Sequence, residues 1–268
     1  MKFEFLQNLD SDLKASLIKQ LRNLWTHTST AIEGNTLTLG DTAFVIEEGL
    51  TVSGKSLKDH EEVVGHASAI ELIWRYIKRN TDLTKEDLFD LHKAVQTERI
   101  FDIYKPVGNW KVEPNGTIAI TDDEQQVFLE YAAPNVVEIL MAKWFELING
   151  FSKKKLDKNQ AIIAYAEIHI SFVRIHPFFD GNGRIARLVA NFPVINSGYP
   201  PIIIPVEKRR EYIRLLSQYE LAVGQIKAGE SLLPKKELLV DFIKFCKESW
   251  TPSFKLVEAA NKQQLERN

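Results

Sequence analysis

The chain has 268 residues, 44% of them hydrophobic and 26% charged, with a formal net charge of -2. This composition fits one large globular domain, or a main domain with a small appendage, and gives no global charge that would draw the chain to nucleic acid or an anionic membrane. A single cysteine, Cys246, excludes an internal disulfide and a multi-cysteine zinc motif.

The opening residues, Met1-Lys2-Phe3-Glu4, lack the basic region and apolar stretch of a signal peptide. The segment Asp10 to Glu33 carries Leu13, Leu17, Leu21 and Leu24 at spacings of three and four, which predicts an amphipathic helix ending at Gly34. Short helical character follows over Asp41 to Gly49. Leu57 to Lys78 shows another apolar stripe, with Val63, Val64, Ala67, Ile70, Ile73 and Ile77. Within it, His60 and His66 read as structural residues packed on the first helix. Thr84 starts a further helix, with Asp87 placed as the acid of a capping box and the body running to about Thr97.

Between Tyr104 and Asp122 the pattern changes. Trp110-Lys111-Val112 and Thr117-Ile118-Ala119-Ile120 flank a Pro-Asn-Gly turn, which predicts a β-hairpin. Helices are expected again at Pro134 to Ile148, Asp157 to Ile175, Gly183 to Asn196, Glu207 to Ala228 and Lys235 to Lys247. The polar tail after Pro252 reads as a loose helix or a disordered segment. The longest apolar-rich run, Ala161 to Ile175, is broken by Glu167, His169 and Arg174 and is too short to span a bilayer. The expectation is an all-α, cytoplasmic protein with one hairpin.

One run concentrates chemistry: His176-Pro177-Phe178-Phe179-Asp180-Gly181-Asn182-Gly183-Arg184-Ile185-Ala186-Arg187. It lies where one helix ends and the next begins. A helix N-terminus offers unpaired N–H groups and partial positive charge, and glycines let phosphate oxygens approach the backbone. Arg184 and Arg187 are three apart and share a helix face. A carboxylate such as Asp180 suits Mg²⁺ bound together with phosphate oxygens, and His176 is placed to accept a proton. Taken singly, Gly-Asn-Gly is a common turn and the two arginines a solvated helix face. The complete string points to a metal-bound polyphosphate beside a base. It is not a P-loop, because Gly-x-x-x-x-Gly-Lys-Ser/Thr is absent.

The string resembles the Fic signature, His-x-Phe-x-Asp/Glu-Gly-Asn-Gly-Arg-x-x-Arg, at every fixed position, and the resemblance runs from about Ser29 to about Phe245. It implies a Fic-type helical bundle with a hairpin flap that moves AMP from ATP to a Ser, Thr or Tyr hydroxyl of a target protein. On that resemblance, His176 is the general base, Asp180 holds Mg²⁺, and Phe178 anchors the loop. Gly181, Asn182 and Gly183 form an anion hole, Arg184 contacts phosphate, and Arg187 pairs with the γ-phosphate. Ser29-Thr30-Ala31-Ile32-Glu33-Gly34-Asn35 resembles the Fic inhibitory motif, Ser/Thr-x-x-x-Glu-Gly/Asn. Glu33 would then compete for Arg187, with Ser29 and Gly34 completing the motif.

The resemblance divides the chain into an N-terminal helical region (1–100) holding the inhibitory helix (about 10–34), a core (101–250) with flap (104–122) and catalytic loop (176–187), and a tail (251–268). Val107, Gly108, Asn109 and Trp110 would position the target at the flap. Tyr212 is the expected adenine contact, although Ile213 stands where relatives often carry a second Tyr, and Glu220 where an Asn is usual. Self-modification and a homodimer are consistent with the family. Two other functions stay open: removal of AMP through water activated by Glu33, and a non-catalytic nucleotide-sensing or regulatory module.

Overall fold

The computed structural model describes residues 3–97, 102–121 and 125–267. Helix α1 (Ser11–Ile32) buries Leu13, Leu17 and Leu21 of the predicted stripe together with Trp25 and Ile32, leaves Leu24 half-buried, and stops at Glu33 and Gly34, whose φ is 104°. Helix α2 (Leu39–Glu48) starts at a reciprocal Thr38/Asp41 capping box. Helix α3 (Leu57–Arg79) lies against α1 and buries His60 and His66. Helix α4 (Lys85–Val95) begins at the expected Thr84/Asp87 capping box.

Helix α5 (Pro134–Ser152) leads to α6 (Lys158–Ile175), which is sheathed by α5, α7 (Asn182–Val189), α8 (Phe192–Asn196) and α10 (Val240–Ser249). From Ala164 to Ile175 every residue of α6 is buried. This explains why its apolar residues fall on every side: no face meets water, and Glu167, His169 and Arg174 are buried with the rest.

Four elements differ from the sequence reading. The hairpin pairs β1 (Gly116–Ile120) with β2 (Gln126–Glu130), with Ile118 opposite Phe128. Trp110-Lys111-Val112 is not one of its strands. The Lys111 N–H is already given to the Pro177 carbonyl at 2.9 Å, and Pro114 has no N–H to offer a ladder. The far end of the predicted segment, Asp122, lies outside the described residues. The helix expected over Gly183 to Asn196 breaks into α7 and α8, because the Asn191 carboxamide takes both backbone groups of Ile202, at 2.6 and 2.9 Å, and Pro193 follows. Helix α9 (Arg209–Val223) ends early at Gly224, whose positive φ of 73° leaves the helical region.

The segment read as either a loose helix or disorder is an ordered helix, α11 (Thr251–Leu265). Proline is tolerated in a first turn, so Pro252 opens this helix. Val257, Ala260 and Gln264 are buried, and the helix lies along α1. Gln264 accepts from the Asp10 N–H at 2.6 Å, and Arg267 pairs with Asp12 at 2.7 Å.

Candidate active site

The twelve-residue motif forms the expected connection between α6 and α7. It opens on a cavity of about 300 Å³ lined by His176, Asp180, Gly183, Arg187, Tyr131 and Glu33, among others. A larger polar hollow of about 600 Å³, near Asn80, Lys153 and Ser197, carries none of the motif residues.

His176 caps α6 in the left-handed region, with φ 50°. This turn swings its ring out of the helix. The Nδ1 lies 3.1 Å from the Val173 carbonyl, so in the neutral ring Nδ1 carries the proton and Nε2 keeps its lone pair. The Tyr131 ring stacks on the imidazole at 3.7 Å and 2°. Desolvation first, then the charge of Lys111, push His176 down to about 3, against the pull of the Val173 carbonyl and Asp180. At neutral pH the imidazole is therefore uncharged, with the Nε2 lone pair unprotonated.

Phe178 anchors the loop as expected. It is fully buried, stacked on His92 at 3.9 Å and flanked by Phe89, Trp110 and Phe172. Asn182 does less for an anion than its place in the motif implies. Its side chain turns inward, accepting from the Phe178 N–H at 2.9 Å and donating to the Phe178 carbonyl at 2.8 Å. Only its backbone is left for a ligand at the start of α7. Gly181 supplies the left-handed N-cap of α7, with φ 78°. Gly183 leaves the space above the helix start open; a Cβ there would meet the Glu33 Oε1 at 2.6 Å.

The two arginines are held differently. Arg184 donates to the Val95 carbonyl at 2.9 Å and to Asp180 at 3.1 Å, so its guanidinium is tied to the end of α4 and to the motif's own carboxylate. Arg187 reaches α1: it donates to the Ser29 hydroxyl at 3.0 Å, the Ser29 carbonyl at 2.8 Å and Glu33 at 2.7 Å. Burial opposes its charge most, but Glu33 and Tyr212 together outweigh it and raise Arg187 above its ordinary value. The Arg187 Nη1 also lies 3.4 Å from the Tyr212 hydroxyl, which in turn meets His169 Nε2 at 3.0 Å. Ser29, Glu33 and Arg187 are thus brought together as the motifs implied.

Tyr212 is 1% exposed and sits among His169, Phe242 and Phe245, so its hydroxyl serves Arg187. Ile213 and Leu216 join it in lining the cavity. Glu220 pairs with the buried Arg174 at 3.0 Å, and burial raises its carboxyl to about 7 against that pull. Of the expected target-positioning residues, Gly108 gives its N–H to His92 Nδ1 at 2.8 Å, and the Asn109 side chain accepts from the Trp110 N–H at 2.9 Å. Trp110 donates to Glu138 at 2.7 Å, and Val107 is 40% exposed. They form a shoulder beside the catalytic loop, before the hairpin.

Sequence reasoning missed the roles of Tyr131, His92, His169, Lys111 and Asn115. Lys111 was read only as part of a strand and flap segment and Asn115 only as a turn residue, and nothing local marks the roles of the other three.

Asp180 is the metal candidate. Among the described residues no three His, Cys, Asp or Glu side chains cluster as a metal cage. The exposed Asp180 carboxylate at the cavity rim fits a hard cation that takes most of its oxygens from phosphate and water.

Residues 82–193 match the model of the Fic/DOC family. The chain carries a Fic domain. It is 30% identical over 214 residues to protein adenylyltransferase fic-1 of Caenorhabditis briggsae, covering 79% of this chain and 39% of that protein. Protein adenylyltransferase Fic of Drosophila melanogaster is 32% identical over 192 residues, 70% of this chain and 35% of that one. The chain therefore spans well under half the length of these curated relatives. A Fic-domain signaling protein of Bacteroides thetaiotaomicron superposes with a TM-score of 0.78 at 28% identity, covering 96% of this chain and 94% of the other. Fic-1 of Caenorhabditis elegans gives 0.72 at 28%, covering 97% and 69%. Among the described residues no helix is long and apolar enough to cross a membrane.

Proposed function

We propose that this Fic-domain protein is a protein adenylyltransferase that is restrained by Glu33. The observation that carries the reading is one cavity in which a neutral histidine, an exposed aspartate and an arginine engaged by a removable carboxylate converge. In the reaction, Nε2 of His176 takes the proton of a protein hydroxyl. The hydroxyl oxygen bonds to the α-phosphorus of ATP as the bond to the bridging oxygen breaks, and diphosphate leaves. Arg187, once Glu33 withdraws, receives the γ-phosphate. The backbone at the start of α7 faces the phosphates, and Asp180 would hold Mg²⁺. When bound, that cation neutralises phosphate charge.

At rest, the Glu33 carboxylate takes the guanidinium that the γ-phosphate needs. ATP bound without this contact presents its α-phosphorus poorly, and such misplacement is costly in rate. Labelled ATP incubated with parent, Glu33→Gly and His176→Ala proteins tests the reading. Self-modification serves as a readout that needs no chosen target. Label should rise in Glu33→Gly and vanish when His176→Ala is added. Equal labelling of parent and Glu33→Gly sinks the restraint, and labelling that survives His176→Ala sinks the assigned base.

A further inference from the structure

Three consecutive carbonyls of the catalytic loop accept hydrogen bonds from residues just ahead of the hairpin. The Lys111 N–H donates to Pro177 O at 2.9 Å. The Asn115 Nδ2 donates to Phe178 O at 2.9 Å and to Phe179 O at 3.4 Å. Lys111 Nζ donates to the Asn115 Oδ1 at 2.6 Å. That last bond fixes which way the carboxamide points. An ammonium has donors and no acceptor, so only the carboxamide oxygen can face it. The NH₂ group is then forced toward the loop carbonyls; turned over, Asn115 would set an oxygen against two oxygens. The Asn115 carbonyl in turn accepts from the N–H of Tyr131 at 3.1 Å, and the Tyr131 ring is the one stacked on His176.

Lys111 is 2% exposed, and burying an ammonium is unfavourable unless it is well held. Burial lowers its proton affinity, partly offset by Glu130 on β2. A neutral side chain would fill this space at less cost but could not orient Asn115.

We propose that Lys111 and Asn115 are positioning residues that fasten the hairpin to the His176 loop, so that the platform beside the cavity and the base move as one body. The role deepens the reading of His176 as base and rests on it. Two near-isosteric changes separate the parts. Asn115→Asp keeps the partner of Lys111 but has no N–H for the loop. Lys111→Met keeps the stem and the backbone N–H but loses the group that orients Asn115.

The test is made in the Glu33→Gly protein, with the kcat of AMP transfer, ATP affinity and backbone hydrogen exchange measured together. Asn115→Asp should lower kcat about 10- to 100-fold, and Lys111→Met by less, with ATP affinity within about twofold, as expected when a base is displaced and the nucleotide site is not. Exchange should quicken at Lys111 and over 178–182 while α6 keeps its protection. An unchanged kcat overturns the proposal, as does a kcat that falls together with ATP affinity. If Glu33→Gly transfers no AMP, it is the adenylyltransferase reading that fails. Exchange then decides the clamp alone, and unchanged protection over 178–182 in Asn115→Asp overturns it.

Discussion

The catalytic loop and the end of α1 meet at Arg187, yet they are built in opposite ways. The loop is held from all sides by buried groups: Phe178 in its aromatic nest, Asn182 bonded to both backbone groups of Phe178, and His92 bridging Gly108 to the Asp180 carbonyl. The α1 end holds Arg187 in two parts. Ser29 is buried and grips the guanidinium with its hydroxyl and carbonyl. The Glu33 side chain is 41% exposed and attached at one oxygen. A hydrogen bond to a charged group contributes about 1.5–3 kcal/mol, and this much exposure sets Glu33 at or below the lower end. The difference teaches that the chemistry is preassembled, whereas the proposed restraint hangs on one carboxylate that an incoming anion can replace without disturbing the loop.

The largest expected effect breaks the loop side. His176→Ala should reduce AMP transfer about 10²- to 10⁴-fold. Calorimetric titration with ATP should give unchanged binding, since the imidazole touches the Val173 carbonyl and the Tyr131 ring while Phe178, Asn182 and His92 hold the loop without it; lost binding would mean the loop is less self-sufficient than its contacts imply.

Breaking the other side comes next. Glu33→Gly should raise self-modification about tenfold, the equivalent of roughly 1.4 kcal/mol. A smaller change sharpens the division of labour within α1. Ser29→Ala leaves the buried Arg187 Nε without its acceptor, which should cost about 1–3 kcal/mol in urea denaturation. Its gain in transfer should stay below that of Glu33→Gly, because the Ser29 carbonyl remains. If Ser29→Ala activates more strongly, the fixed and loose parts have been assigned the wrong way round.

The last effect is read on stability alone, as its pH dependence. Burial lowers His66, His92, His169 and His176 below their ordinary 6.5, to about 4 for His92 and about 3 for His169 and His176. Below 6.5 the unfolded chain binds protons that the folded chain refuses. Stability is therefore fully present above 6.5 and lost as pH falls toward these lowered values. Scanning calorimetry should show a steady Tm from pH 8 to 7 and a lower one by about pH 5, before most carboxylates titrate. A Tm that does not move over that range would show that these histidines are protonated in the fold.

The parts of the site that were legible in the sequence are local ones. His176 to Arg187 is contiguous, so its glycines, carboxylate and arginines declare themselves together. Glu33 and Arg187 are 154 residues apart, and only the resemblance of two motifs joined them in advance. Tyr131, His92, Lys111 and Asn115 serve the loop across long stretches of chain, and no periodicity marks such contacts. The hairpin was misplaced because Pro-Asn-Gly looks like a tight turn, whereas Asn115 is occupied with the loop. Helix α11 could be read only as a loose helix or disorder because its buried face is Ser253, Val257, Ala260 and Gln264, a stripe of correct spacing but little hydrophobicity. The long apolar helices were read correctly because burial there leaves a strong periodic trace.

The left-handed backbone of His176 has a consequence for how such a chain can drift. A side chain in that conformation costs about 1 kcal/mol or more, and glycine occupies it freely. The proposed base therefore sits where the fold would favour its absence. In a descendant released from the need for catalysis, position 176 is where stability alone would favour replacement, by glycine first and asparagine next. As the proposed base, His176 is accounted for by chemistry, at a position where architecture would not ask for a histidine.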